Sequence, residues 1–172
     1  MTLKGERTES GIGFADVDWS GTRAYALGLN SIFLNLEGRE SEGIVSEQQA
    51  VELKRSISQG LQAFTDEQRE QLVVKTVYDG ERIYPGNENG DAPDLVVGYH
   101  RGYRASWQTT LGAVPQQSIE INQGKWSGDH CIAVDEVPGV LFTSFELEEP
   151  VESIDQLAEL VLEGGSTTSA SP

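Results

Sequence analysis

The spacing of apolar and polar positions changes several times along the chain, and each change marks an element. Short β-rich runs lie at 22–27, 31–36, 72–78, 95–99 and 140–143, separated by stretches rich in glycine and polar residues. Leu95-Val96-Val97 and Val140-Leu141-Phe142 are continuous apolar triplets bounded by Pro, Asp or Gly, which predicts strands buried on both faces. One helix is announced at Ser46, a good N-cap, with Gln49 three residues on to complete a capping box. Ala50, Leu53, Ile57, Leu61 and Phe64 then recur every three or four residues. That period predicts an apolar stripe turned to a core, with Glu52, Lys54, Arg55 and Gln59 facing water and Gly60 weakening the last turns. A second amphipathic helix is expected over 153–163, capped by Ser153, presenting Ile154, Leu157, Ala158, Val161 and Leu162, and stopped by Gly164. The segment 78–93 is too rich in Gly, Pro and Asn to be regular and reads as a surface loop leading to the strand at Asp94. Strands combined with two amphipathic helices point to an α/β or α+β class.

Composition narrows the possibilities. A chain of 172 residues, 37% hydrophobic and 23% charged with a mean hydropathy of −0.37, suits one ordinary domain. The lone Cys131 excludes an internal disulfide framework. No apolar run approaches the ~20 residues a bilayer helix needs, and the first residues lack the basic-then-apolar order of a signal peptide, so a soluble chain without a membrane segment is expected. Residues 164–172 contain no large apolar side chain to offset their ordering entropy and are expected to form a disordered tail. Against 12 Lys and Arg stand 28 Asp and Glu, a formal charge of −16. That charge repels phosphate backbones and anionic lipid, so binding to a nucleic-acid backbone is not expected. No Lys or Arg follows Lys125.

Chemistry is constrained by the histidines, of which there are two, His100 and His130. His130 lies in Trp126-Ser127-Gly128-Asp129-His130-Cys131, where Gly128 permits close backbone approach and Asp129 adjoins the ring. A neutral imidazole is a good zinc ligand whose tautomer a nearby carboxylate can set. A loop histidine hydrogen-bonded to a neighbour explains the same residues, and both readings stay open on composition. His100 has basic and aromatic neighbours and no adjoining carboxylate, which favours a structural role. Cys131 beside His130 could be an activated thiol. Neighbours in an extended strand point to opposite faces, so a small buried hydrophobe is the better reading. There is no phosphate-binding loop of the Walker type, no Cys-x-x-Cys pair, no Gly-x-Ser-x-Gly elbow, and Gly11-Ile12-Gly13 lacks the remainder of a dinucleotide fingerprint.

Several blocks occur in a fixed order: Asp18-Trp19-Ser20-Gly21-Thr22-Arg23-Ala24-Tyr25-Ala26-Leu27-Gly28-Leu29-Asn30, then Leu34-Asn35-Leu36-Glu37-Gly38-Arg39-Glu40 and Gly43-Ile44-Val45. Further on stand Ala92-Pro93-Asp94-Leu95-Val96-Val97-Gly98-Tyr99, Gly102-Tyr103-Arg104-Ala105-Ser106-Trp107, Trp126-Ser127-Gly128-Asp129-His130-Cys131 and Val137-Pro138-Gly139-Val140-Leu141-Phe142. Together they resemble the C-terminal part of bacterial type I phosphodiesterase/nucleotide pyrophosphatase proteins of the alkaline phosphatase superfamily. The resemblance spans residues 8–162.

It implies an alkaline phosphatase-like α/β sandwich, with a mixed sheet and flanking helices, of which residues 1–163 would form the C-terminal portion. It also implies a hydrolase acting on phosphate-ester or nucleotide substrates through two divalent metals, usually zinc, and a Thr or Ser nucleophile. At the family's Gly-Asp-His block the histidine ligates metal, and the matching position is His130; Asp129 is not carried over as a ligand. Members place the nucleophile, an Asp-x-x-x-His pair and an Asp-His-Gly block upstream of the Trp19 region, and this chain has neither block. A two-metal site needs about three protein ligands per metal. The expectation is therefore a C-terminal fragment, its first residues corresponding to an internal stretch of a longer member, inactive alone and binding at most one metal weakly. Tyr103 and Arg104 would stand near substrate or serve as core or salt-bridge residues. A partial sheet would expose an edge and an apolar face, inviting association. The competing expectation is a standalone acidic binding module that has lost catalysis.

Overall fold

The structure is a computed structural model that describes residues 1–4, 13–86, 90–110, 112–115, 117–126, 128, 131–144, 146–147 and 150–164. Residues 165–172, nearly all of the expected tail, lie outside the described residues. The chain divides into two compact units, Met1–Val137 and Pro138–Pro172.

The first unit is built on a four-stranded sheet. Strands β1 (Ala24–Leu27) and β2 (Ser31–Leu34) form a hairpin whose turn begins at Gly28, held at φ +76°, a left-handed conformation that glycine adopts without strain. Helix α1 (Glu47–Gln62) follows, with the expected capping box: Ser46 accepts from the Gln49 N–H while the Gln49 side chain accepts from the Ser46 N–H. A two-stranded ribbon, β3 (Thr65–Asp66) and β4 (Gln71–Leu72), leads into β5 (Val74–Asp79), the short helix α2 (Gly80–Ile83) and β6 (Leu95–Tyr99). A further short helix, α3 (Trp107–Thr110), completes the regular α and β elements of this unit. The sheet order is β1-β2-β6-β5, with every neighbouring pair antiparallel. The β1, β2 and β6 runs read from the sequence thus become strands, and β6 is central, as its continuous apolar character requires.

Val73, Val74 and Val97 form the core of the sheet face under α1, with Leu61 and Phe64 from the helix end and Ile32, Val77, Tyr99 and Tyr103 packed around them. Leu34, Leu95, Val17 and Val45 are also fully buried. Beneath the hairpin, the buried Asn35 amide donates to the carbonyls of Trp19, Thr22 and Glu42. Nearby, Asp94 accepts from the Leu34 N–H and from Arg39. These contacts tie the start of β6 to the end of β2.

Five expectations are corrected. The sheet is antiparallel, not mixed, and the parallel pairings among the described residues are isolated bridges. The run 72–78 divides because Leu72 pairs with Thr65 in the ribbon, so β5 starts only at Val74. The segment 78–93 contains α2, which Asp79 caps by accepting from the Glu81 N–H. Lys54 does not face water: its ammonium is drawn under Asp79 (3.3 Å) and Glu81 (2.8 Å), leaving its side chain 12% exposed. Val140-Leu141-Phe142 forms no strand and is exposed, Phe142 at 91%, because no strand among the described residues supplies a ladder for it.

The second unit contains α4 (Asp155–Gly164). The Gln156 side-chain carbonyl accepts from the N–H groups of Glu152 and Ser153, which satisfies donors ahead of the first turn. Its expected apolar stripe exists in sequence, but Ile154, Val161 and Leu162 are exposed.

Candidate functional site

The last residue of the chemistry-bearing Trp126–Cys131 block, Cys131, lies against the carboxyl end of β6. Immediately after Gly98, the Tyr99 N–H donates to the Cys131 carbonyl at 3.4 Å and the Ala133 N–H donates to the Tyr99 carbonyl at 3.0 Å. Ile132 thereby forms a parallel bridge with Tyr99. A Cβ on Gly98 would stand 2.9 Å from Thr76 Cγ2 and 3.1 Å from Ala133 Cβ, so glycine is what lets the returning chain lie this close to the sheet. Cys131 and Ala133 are buried there, and Cys131 forms no disulfide.

Two further fastenings hold this region. After the block, the short 3-10 turn Val134–Glu136 is pinned by charge. Lys75 Nζ lies 2.7 Å from Asp135 and 3.0 Å from Glu136, His100 Nδ1 lies 3.4 Å from Glu136, and the Arg101 guanidinium donates to the Glu136 carbonyl at 3.1 Å. The β5–β6 register shifts between Val74 and Thr76, and this bulge at Lys75 lies in the strand that presents the lysine to the turn. The hydrogen bond to Lys75 holds both the Glu136 and Asp135 carboxyls below their ordinary range, and the Asp135 and Glu136 carboxylates push the lysine upward.

Ahead of the block, Arg104 is the organising side chain. Its Nη1 donates to the carbonyls of Trp126 (3.3 Å) and Gly128 (3.1 Å), its Nε donates to the Ala105 carbonyl (3.3 Å), and its guanidinium sits 5.2 Å from the centre of the Trp107 ring. Asn122 adds a bond from Nδ2 to the Trp126 carbonyl at 2.9 Å. Tyr103 points elsewhere: its hydroxyl donates to the buried Asp66 carboxylate at 3.0 Å, and Arg69 lies over its ring.

His130, the metal ligand implied by the resemblance, lies outside the described residues, as does Asp129. The structure therefore positions both flanks of the block without describing that imidazole. His100 is placed against Glu136, and its backbone N–H donates to the Val73 carbonyl. Among the described residues, no three His, Cys, Asp or Glu side chains come together as a metal-holding group. With two histidines in the chain and one of them beside Glu136, the described donors do not fit a two-metal centre. The described residues on either side of Asp129 and His130 are fastened: Gly128 by Arg104, and Cys131 and Ala133 by Tyr99.

The role of Arg104 as a loop anchor and the Lys75–Glu136 clamp escaped sequence reasoning. The adjacent acids Asp135-Glu136 were visible, but nothing in the order of residues signals a bulge at Lys75.

No family model, curated protein or solved structure matches this chain.

Proposed function

We propose that this chain is the C-terminal portion of a metal-dependent phosphohydrolase of the type I phosphodiesterase/nucleotide pyrophosphatase kind, with an alkaline phosphatase-like sandwich completed by residues outside it. In this reading His130 supplies one ligand to a divalent metal, zinc by preference, and the enzyme hydrolyses phosphate-ester or nucleotide substrates. The chain alone lacks the nucleophile and the other ligands and is inactive. The observation that carries the reading is that Arg104 and Asn122 hold the Trp126 and Gly128 carbonyls while the Tyr99 pairing holds residues 131–133 to β6, because binding groups are commonly presented on loops held by a rigid scaffold. The exposure of Val140, Phe142, Ile154 and Leu162 adds support, since an intact enzyme would cover such side chains. β5 carries a bulge and Lys75, devices that deter strand addition, so β1 is the edge proposed for association with the remainder.

The test has two arms. The purified chain should show no measurable turnover of a chromogenic phosphodiester with zinc or manganese added. The coding sequence immediately upstream should hold an in-frame Asp-x-x-x-His pair and Asp-His-Gly block. Turnover that copurifies with the chain and disappears in His130→Ala overturns the first statement. A promoter directly upstream overturns the second and favours the acidic binding module.

A further inference from the structure

Helix α1 bears on the sheet through its far end, where Leu61 and, just beyond the helix, Phe64 pack against the Val73, Val74 and Val97 core; none of its sixteen residues is buried. Its earlier turns leave a cleft of about 330 Å³ between helix and sheet, at the lower end of the roughly 300–1,000 Å³ that small ligands occupy. Val77 and Leu95 supply an apolar floor and the exposed Val51 an apolar lip. Side chains alternate along a strand, so Asp79 shares the sheet face of Val77, and in register it stands opposite Leu95. Its carboxylate therefore meets the floor where β5 passes into α2.

Charge in the cleft does not balance. Arg55 is spent on Glu52, which accepts from its Nε at 3.0 Å and its Nη2 at 2.6 Å. What remains is one ammonium, Lys54, against two carboxylates, Asp79 and Glu81, a net charge of −1. Lys54 aims its donors at both, and the Ser58 hydroxyl donates to the Lys54 carbonyl at 2.8 Å. A carboxylate has about four acceptor positions. The bonds accepted from Lys54 and from the Glu81 N–H leave capacity over, above all on Glu81, whose side chain is 84% exposed. Surplus acceptors thus stand beside an apolar floor, in a chain whose charge of −16 draws cations toward it.

We propose that this cleft binds a small primary amine in its ammonium form, with the head group at Asp79 and Glu81 and a compact apolar body on Val77 and Leu95. A carboxylate or phosphate head would meet the net negative charge, and an uncharged molecule would leave it uncompensated. None of these residues belongs to the Trp126–Cys131 block, and the site is independent of the function proposed above.

The test titrates the full 172-residue chain, ¹⁵N-labelled, with 2-phenylethylammonium, and separately with phenylacetate and 2-phenylethanol, which carry the same ring with opposite or no charge. The amide shifts of Val77 and Leu95 are the reporters, and that of Asn35, whose N–H donates to the Arg23 carbonyl at 2.9 Å, is the reference. The amine should saturate both reporters with a dissociation constant on the order of 1 mM. Phenylacetate should bind at least about tenfold more weakly, and the alcohol more weakly than the amine. Glu81→Gln, a change at an exposed side chain, should weaken amine binding about three- to fivefold, the scale of a partly exposed ion pair. Glu81→Lys turns the local charge from −1 to +1 and should reverse the preference between the amine and phenylacetate. The proposal is overturned by reporters that do not saturate at about ten times the expected constant, by equal affinity for the three probes, or by amine affinity unchanged in both variants. Shifts that spread equally to Asn35 mark a general attraction to the acidic chain and overturn it as well.

Discussion

Replacing Asn35 with leucine isolates a single buried amide that holds the hairpin unit together. Asn35 is fully buried, and its Nδ2 donates to the carbonyls of Thr22 and Glu42 at 2.9 Å each and of Trp19 at 3.2 Å. Two hydrogens serve three acceptors, so two bonds are strong and the third is shared. Leucine keeps the branching and number of side-chain heavy atoms but leaves the Thr22 carbonyl without this donor in a buried setting, at a cost of about 1–3 kcal/mol. The Glu42 and Trp19 contacts are only partly buried, and each loses nearer 0.5–1.5 kcal/mol. Against this, Asn35 Oδ1 is itself buried with no hydrogen-bond partner, and removing it recovers about 1–2 kcal/mol. The net loss is on the order of 2–3 kcal/mol, which in a chain of this size lowers Tm by roughly 5–10 °C. Urea unfolding followed by far-UV circular dichroism measures it. Asn35→Asp should be worse, because a carboxylate would face carbonyl oxygens. A loss under about 0.5 kcal/mol in Asn35→Leu, or an aspartate variant as stable as wild type, would refute the reasoning.

The clamp at Glu136 should open in acid. Its carboxyl and that of Asp135 titrate below their ordinary range because Lys75 bonds them. The folded state therefore binds fewer protons than the unfolded state as pH falls through the carboxylate range. Their contribution is complete above the unfolded pKa and is lost as pH drops through the folded one. Hydrogen exchange at the Ala133 N–H should accelerate relative to Val97 over that window, and Glu136→Gln should remove most of the pH dependence; identical profiles for the two proteins would contradict the clamp. At the alkaline end, burial and then the neighbouring Glu40 carboxylate push Tyr25 up to about 12. A tyrosine with a raised pKa contributes stability that is intact below about pH 10 and is lost as pH rises toward 12. Tyr25→Phe should eliminate the latest tyrosinate absorbance step near 295 nm, and an unchanged titration curve would reassign it.

Much of the first unit was legible because local signals agreed with one another. The Ser46–Gln49 box starts α1 where the pattern places it, and the continuous apolar run at Leu95 marks the central strand. Where legibility failed, long-range contacts overrode local pattern. Lys54 looks solvent-facing on a helical wheel until Asp79 and Glu81, 25 and 27 residues later, arrive beside it. Val140-Leu141-Phe142 has strand composition but pairs with no strand among the described residues, and composition cannot supply a ladder. At the candidate site the residues of the Trp126–Cys131 block single it out as a place where chemistry could sit. What holds its described flanks, Arg104 spanning two carbonyls and Gly98 making room for Ala133, depends on distances that sequence order does not encode.

The proposed role of His130, as one metal ligand in a phosphohydrolase completed by an upstream segment, is open to direct test. The most direct measurement joins the chain in frame to the segment encoded immediately upstream and determines zinc content and phosphodiester turnover for wild type, His130→Ala and His100→Ala. His130→Ala should lose zinc and about 10²–10³ of the rate, the scale of removing one electrostatic stabiliser of the transition state. His100→Ala, which disturbs only the Glu136 clamp, should retain its zinc and most of its rate. Full zinc content and full rate in His130→Ala, or equal losses in the two folded variants, would contradict the claim.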